Sequence, residues 1–229
     1  MDTRQQLWNE IIDTRQRFHL LLANVSDEAF HLPSDNPAYI IGDKIEEYYE
    51  KRFKGRRTPP KYPPEYRSGI GEEGVEKVKE FVEAGGTLLT LNEASEFAIE
   101  KLKVPVINAL KDLKPEEFHC PGSTLWTDID TAHPLGYGIP ERGLVVLRGK
   151  TAFTVKPGEK GQDYRVVVSY PEEQIMQSGW LIGEEKLARK AAMIEAKMGE
   201  GRVVLYGFAP QARSLTDATF KLFFNALLG

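Results

Sequence analysis

The sequence predicts an α/β fold on a mixed, doubly wound sheet, and three observations predict it. Residues 75–102 run in the order helix, Gly85-Gly86, apolar strand, helix. That is the rhythm of a sheet with helices packed on its faces. Residues 192–208 read as two strands joined by Gly199-Glu200-Gly201, a hairpin pattern. The chain then closes on a helix carrying Phe220, Phe223, Phe224 and Leu227 at i, i+3, i+4 and i+7.

Taken in order, residues 4–25 form an amphipathic helix, with Leu7, Ile11, Phe18, Leu21 and Val25 on one stripe. Ser26-Asp27-Glu28 starts a short turn of helix that Pro33 and Asn36-Pro37 end. Tyr39-Ile40-Ile41 reads equally as a short strand or as the opening of the helix that runs through Tyr48 and Phe53. Residues 54–68 place Pro59, Pro60, Pro63 and Pro64 among basic residues, which predicts an extended connector. The expected organisation is a helical segment over 1–53, this connector, and an α/β domain over 69–229.

Within that domain, Val75, Val78, Phe81 and Val82 share a helix face, and Gly85-Gly86 can take the left-handed capping conformation. Thr87–Leu91 follows as a buried strand, and Asn92 is expected to cap a helix carrying Phe97, Ala98 and Leu102. Short strands are predicted at 124–128, 144–147, 152–155 and 165–169. Ala192, Ile194, Ala196 and Met198 alternate with Met193, Glu195 and Lys197, so one face of that strand is buried. Val203–Tyr206 is apolar on both faces, as a central strand requires.

Composition narrows the function classes. A chain of 229 residues buries about 70% or more of its unfolded surface and needs no covalent staple. One cysteine, Cys120, leaves no internal disulfide and no cysteine-based zinc cage. A net charge of −4 gives no general attraction to nucleic acid, and no apolar run is long enough to span a membrane. The first residues lack the apolar core of a secretory signal, so the chain as written is expected in the cytoplasm.

Several stretches carry a resemblance: Tyr66–Gly71, Phe81–Leu88, Cys120–Ser123, His133–Gly138, Gln177–Trp180, Gly201–Leu205, and Pro210-Gln211 with Arg213 and Phe220–Leu222. From about residue 63 to the end they resemble a C-terminal domain of bacterial zinc carboxypeptidase-family proteins. The resemblance implies a class I glutamine-amidotransferase-like α/β sandwich, an accessory module and not the peptidase itself. Thr14–His19 and Leu32–Pro37 resemble, weakly, the opening of a DinB-like protein. If the chain is a fragment of a longer secreted parent, an extracytoplasmic location follows instead.

Tested for chemistry, the chain comes up short. A carboxypeptidase zinc site needs a His and a Glu three residues apart. The residues three beyond His19, His31, His119 and His133 are Leu22, Ser34, Gly122 and Gly136, so neither metal nor cofactor is expected. An amidotransferase needs a thiolate at the sharp turn after a strand. Here that turn reads Asn92-Glu93-Ala94-Ser95, and Ser95 lacks the flanking glycines of a nucleophile elbow. Cys120 with His133 and Asp128 or Asp130 draws as a Cys–His–Asp set, against the plainer reading of a buried structural thiol. Arg213 and Gln211 follow the strand ending at Phe208, where doubly wound sheets bind ligands, and suit a small anion or sugar. Trp180 is expected in the core.

The sequence therefore predicts a non-catalytic accessory or interaction domain. The alternatives are a cysteine hydrolase on Cys120 and a binding module using Arg213 and Gln211. Its expected partners are a second copy in a homodimer and a peptidase domain, linked or separate. Neither nucleic acid nor membrane is among them.

Overall fold

The computed structural model describes residues 70–155, 163–212 and 216–228. The helix expected at 4–25, the segment through Phe53, the Pro-rich connector, His19, His31 and Arg213 lie outside the described residues. The chain divides into two compact units, Met1–Glu80 and Phe81–Gly229. In the first, the described residues are Ile70 and most of helix α1 (Gly71–Glu83), which runs across the division. Gly74 N–H donates to the Ile70 carbonyl at 3.0 Å, and Lys77 pairs with Glu80 on the exposed side of the helix.

In the second unit, α1 ends as the glycine pair predicts. Gly85, at φ +109°, donates to the Val82 carbonyl, and Gly86 donates to that of Phe81. Strand β1 (Thr87–Leu91) leaves directly from this turn. It is followed by a 3-10 turn (Asn92–Ala94) and the short helix α2 (Ser95–Glu100). Six strands of the expected pattern then appear among eight: β2 (Val106–Asn108), β3 (Ser123–Ile129), β4 (Arg142–Leu147), β5 (Phe153–Val155), β6 (Tyr164–Ser169), β7 (Met176–Ser178), β8 (Ala191–Met198) and β9 (Gly201–Tyr206). The helix α3 (Asp217–Leu228) closes the unit.

The nine strands form one mixed sheet in the order β1-β9-β8-β6-β3-β4, with β2 joined to β5, β5 to β8, and β7 to β3. The architecture is thus the expected α/β one with a C-terminal hairpin. Its only parallel pairing among the described residues is β1 with β9, from Thr87 opposite Arg202 to Leu91 opposite Tyr206. The other strand pairs among the described residues are antiparallel, and β8 and β9 are joined by a two-residue turn. β9 lies between β1 and β8 and is buried from Val203 to Tyr206, the central position its two apolar faces call for.

Strands β2 and β7 are three residues each, Val106–Asn108 and Met176–Ser178, and neither shows the alternation or apolar run that marks a strand. β2 is fixed by one side chain. Asn108 Nδ2 donates to Glu96 Oε1 and to the Lys150 carbonyl, while Oδ1 accepts from Leu110 and Ala152 N–H.

Three local expectations are corrected. Asn92 is not a helix cap: α2 has Ala94 at its N-cap position, and no side chain bonds there. Asn92 instead sits at the corner with φ +51°, a left-handed conformation that asparagine tolerates better than most residues. On α3 the buried positions are Thr219, Leu222 and Ala226, whereas Phe224 and Leu227 of the predicted stripe are exposed. The aromatic count along the helix pointed one position away from the side that meets the sheet. Trp180, expected in the core, is 60% exposed. Gly179 at φ +116° turns the chain outward, and Ser123 Oγ holds Trp180 by its backbone, accepting from its N–H and donating to its carbonyl.

The core runs from Phe118, Leu125 and Leu147 through Tyr170 and Met193 to Tyr206 and Leu222. Burial pushes the phenols of Tyr170 and Tyr206 well above their ordinary range. Tyr206 Oη donates to the Leu222 carbonyl at 3.0 Å, while Tyr170 Oη has no partner among the described residues. In the unfolded chain both ionise near pH 10. A pKa raised by folding contributes stability that is complete below the unfolded value and is lost as pH climbs above it. Stability should therefore fall above about pH 10, by up to about 1.4 kcal/mol per pH unit for each phenol. Urea midpoints across that range check this, and a flat profile would contradict it. Tyr170→Phe should remove one share of the alkaline loss and add about 1 kcal/mol at neutral pH, because an unpartnered hydroxyl no longer has to be buried.

Candidate functional site

Cys120 lies between a bridge that joins His119 to Ile182 and a turn at Pro121-Gly122, where Gly122 has φ +137°. Its side chain is 3% exposed, and Sγ donates to the Leu147 carbonyl of β4 at 3.1 Å. Asp128 is on β3, where Leu125, Thr127 and Ile129 face the core and the alternating Asp128 faces out. Asp130, also exposed, accepts the Ala132 N–H on its own carboxylate.

His133 precedes a 3-10 turn (Pro134–Gly136), and its hydrogen bonds lead elsewhere. Nδ1 accepts the Leu135 N–H at 3.2 Å, which places the imidazole proton on Nε2. Nε2 donates to Glu195 Oε2 at 3.1 Å. The structure thus joins His133 to Glu195, while the hydrogen bond of Cys120 runs into the core and Asp128 faces out. Both imidazole nitrogens are occupied, so His133 in this arrangement has no lone pair for a substrate proton.

Glu195 is the centre of a network that the sequence did not single out. Its Oε1 accepts from Arg202 Nη1 at 3.1 Å. Arg202 also donates from Nε to Thr87 Oγ1 and from Nη2 to the Ala226 carbonyl. The latter bond satisfies one of the carbonyls left open at the end of α3. Three elements are therefore tied to the sheet face by one carboxylate and one guanidinium: the loop carrying His133, the edge strand β1, and the last turn of α3. The signal was present in the β8 alternation. Met193 is buried on the same face that becomes polar at Glu195 and Lys197, which marks where the core stops.

This network floors an open groove of about 590 Å³, and the described residues that line it belong to the second unit. Tyr164, Arg165, Lys197 and Glu200 lie along it, and Leu227 and Leu228 form its apolar wall. Gly85, Thr87, Gly201 and Arg202 place it at the amino ends of the parallel pair β1 and β9. The Asn92 corner is at the opposite, carboxyl end, where open α/β sheets ordinarily bind ligands. At that end Ser95 is fully buried, bonded to Thr90 Oγ1 and the Tyr206 carbonyl. Gln211, expected there as a ligand contact, is exposed in the loop after β9. Among the described residues, no group of three His, Cys, Asp or Glu is placed to hold a metal ion, and no helix is long and apolar enough to cross a membrane.

No protein-family model matches the chain, and no curated protein matches it by sequence. Solved structures do. A cytoplasmic protein from Salmonella typhimurium is 15% identical over 81% of this chain and 66% of its own, with a TM-score of 0.43. A protein described as a GMP synthase subunit, from Thermoplasma acidophilum, is 10% identical over 68% of this chain and 63% of its own, with a TM-score of 0.42. A ThuA-like protein from Parabacteroides merdae is 15% identical over 70% of this chain and 64% of its own, also at 0.42. The chain spans less than two thirds of the length of each.

Proposed function

We propose that the chain is a non-catalytic accessory domain. The observation that carries this reading is that each candidate nucleophile has another role. Ser95 is fully buried and bonded to Thr90 Oγ1 and the Tyr206 carbonyl, the Cys120 thiol is bonded to a core carbonyl, and the corner after β1 is Asn92, which is no nucleophile. An acyl-transfer site needs a nucleophile within reach of a base and of solvent-borne substrate. His133, the base of the hydrolase alternative, is bonded through both nitrogens to Leu135 and Glu195. The partner this reading calls for is a peptidase domain, covalently linked or separate.

Thiol chemistry tests it. Iodoacetamide should label Cys120 in the native protein at least about a hundredfold more slowly than in the unfolded chain, because the sulfur is reached only through opening of the fold. Cys120→Ser should cost about 1 kcal/mol or less, since a hydroxyl can keep the bond to Leu147. Native labelling as fast as in urea, together with ester hydrolysis that disappears in Cys120→Ser, would establish the hydrolase instead.

A further inference from the structure

We propose that the groove at the amino ends of β1 and β9 is a binding site for a short neutral saccharide. Its charges cancel. Asp163, Glu195 and Glu200 stand against Arg165, Lys197 and Arg202. The signs also alternate in space: Arg165 lies opposite Glu195 across β6 and β8, and the Lys197 N–H bonds to the Asp163 carbonyl. A simple anion or cation entering this groove meets an opposing charge beside every favourable one and gains little. A sugar hydroxyl both donates and accepts, so it uses a carboxylate and a guanidinium or ammonium placed side by side.

The apolar part of the groove fits the same ligand. Leu227 and Leu228, each 39% exposed, and the half-buried Tyr164 offer surface for the C–H face of a sugar ring. The volume of about 590 Å³ lies within the range of small-molecule sites, about 300–1,000 Å³. The floor is held rigid by the bonds among His133, Glu195 and Arg202, which leaves Lys197, Arg165 and Glu200 at the rim to meet the ligand. This site is independent of the reading as a non-catalytic domain: the two make separate statements, one about binding and one about turnover.

The experiment titrates the full chain with maltotetraose, cellotetraose and tetra-N-acetylchitotetraose by calorimetry. At least one should bind with a Kd at or below about 1 mM, a usual strength for a small open site. Its affinity should change by less than about twofold between about 0.05 and 0.5 M salt, because no net charge is neutralised. Tyr164→Ala and Lys197→Ala should each weaken it about tenfold, while Glu172→Gln, in an exposed ion pair outside the groove, should not. Chromatography of the recovered sugar reads the other question: intact sugar agrees with a non-catalytic domain, and shortened sugar overturns that reading while leaving the site standing. Three results overturn the site: no binding by any of the three, binding that Tyr164→Ala and Lys197→Ala leave unchanged, or a groove that takes inorganic phosphate in a salt-sensitive manner in preference to them.

Discussion

Gly201→Ala should destabilise the fold by about 3–5 kcal/mol, among the larger effects a single methyl group can have. A Cβ on Gly201 would sit 2.1 Å from the Val82 carbonyl oxygen and 2.2 Å from that of Gly86. Both are backbone atoms fixed by the end of α1, so neither can rotate away. Relief requires β9 to back off from the Gly85-Gly86 turn, which stretches the bond from Arg202 N–H to the Gly86 carbonyl. The register of Thr87 with Arg202, which begins the parallel pair, goes with it. Gly143→Ala is the matched control. There the added carbon meets only Ile129 Cδ1, at 2.9 Å, and the end of a side chain can move aside. It should cost about 1 kcal/mol or less. Urea midpoints of the two variants decide the matter, and equal losses would show that the backbone contact at Gly201 is not the cause.

The same corner shows why much of the fold could be read from residues. Gly85-Gly86 announces a chain reversal because glycine alone is easy in a left-handed cap, and the structure places Gly85 there. The alternation from Ala192 to Met198 shows in the second half of β8, where Ala196 is buried and Lys197 exposed, whereas Ala191 to Ile194 are buried on both faces. Such rules are local or periodic, and they hold for β3, β4, β6, β8 and β9.

What escaped the sequence depends on partners distant in the chain. β7 is three residues whose pairing with β3 has no periodic signature. The buried side of α3 is decided by Tyr206 and by the loop at Leu135 and Tyr137, whose carbonyls accept from Asn225. An apolar stripe alone does not reveal this. The site was least legible of all. His133 was visible as a candidate, but its partner Glu195 is 62 residues away and reads as an ordinary outward residue of a strand. Only the fold brings the two together, and it bonds His133 to Glu195 and to the Leu135 N–H.

Glu195→Ala should lower stability by about 2–3 kcal/mol, and the way the loss depends on a second substitution is the sharper expectation. The three side chains of the network are each about one fifth exposed or less: Glu195 at 19%, Arg202 at 22% and His133 at 12%. Removing the carboxylate leaves the imidazole N–H without its acceptor and the partly buried guanidinium without its counter-charge, although Arg202 keeps Thr87 and the Ala226 carbonyl. Glu195→Gln should cost roughly half as much. Its amide oxygen can still accept from Arg202, but its NH₂ then faces His133 Nε2–H, donor against donor. Relief by moving the imidazole proton to Nδ1 would sacrifice the bond from Leu135 N–H. If unpaired charge is the origin of the loss, Glu195→Ala combined with Arg202→Met should cost less than the sum of the two single variants, by at least about 1 kcal/mol. The cycle is read from urea midpoints at one pH. Strict additivity would mean that Glu195 and Arg202 hold the loop and the last turn of α3 by separate contacts, and the network that floors the groove would dissolve into independent bonds.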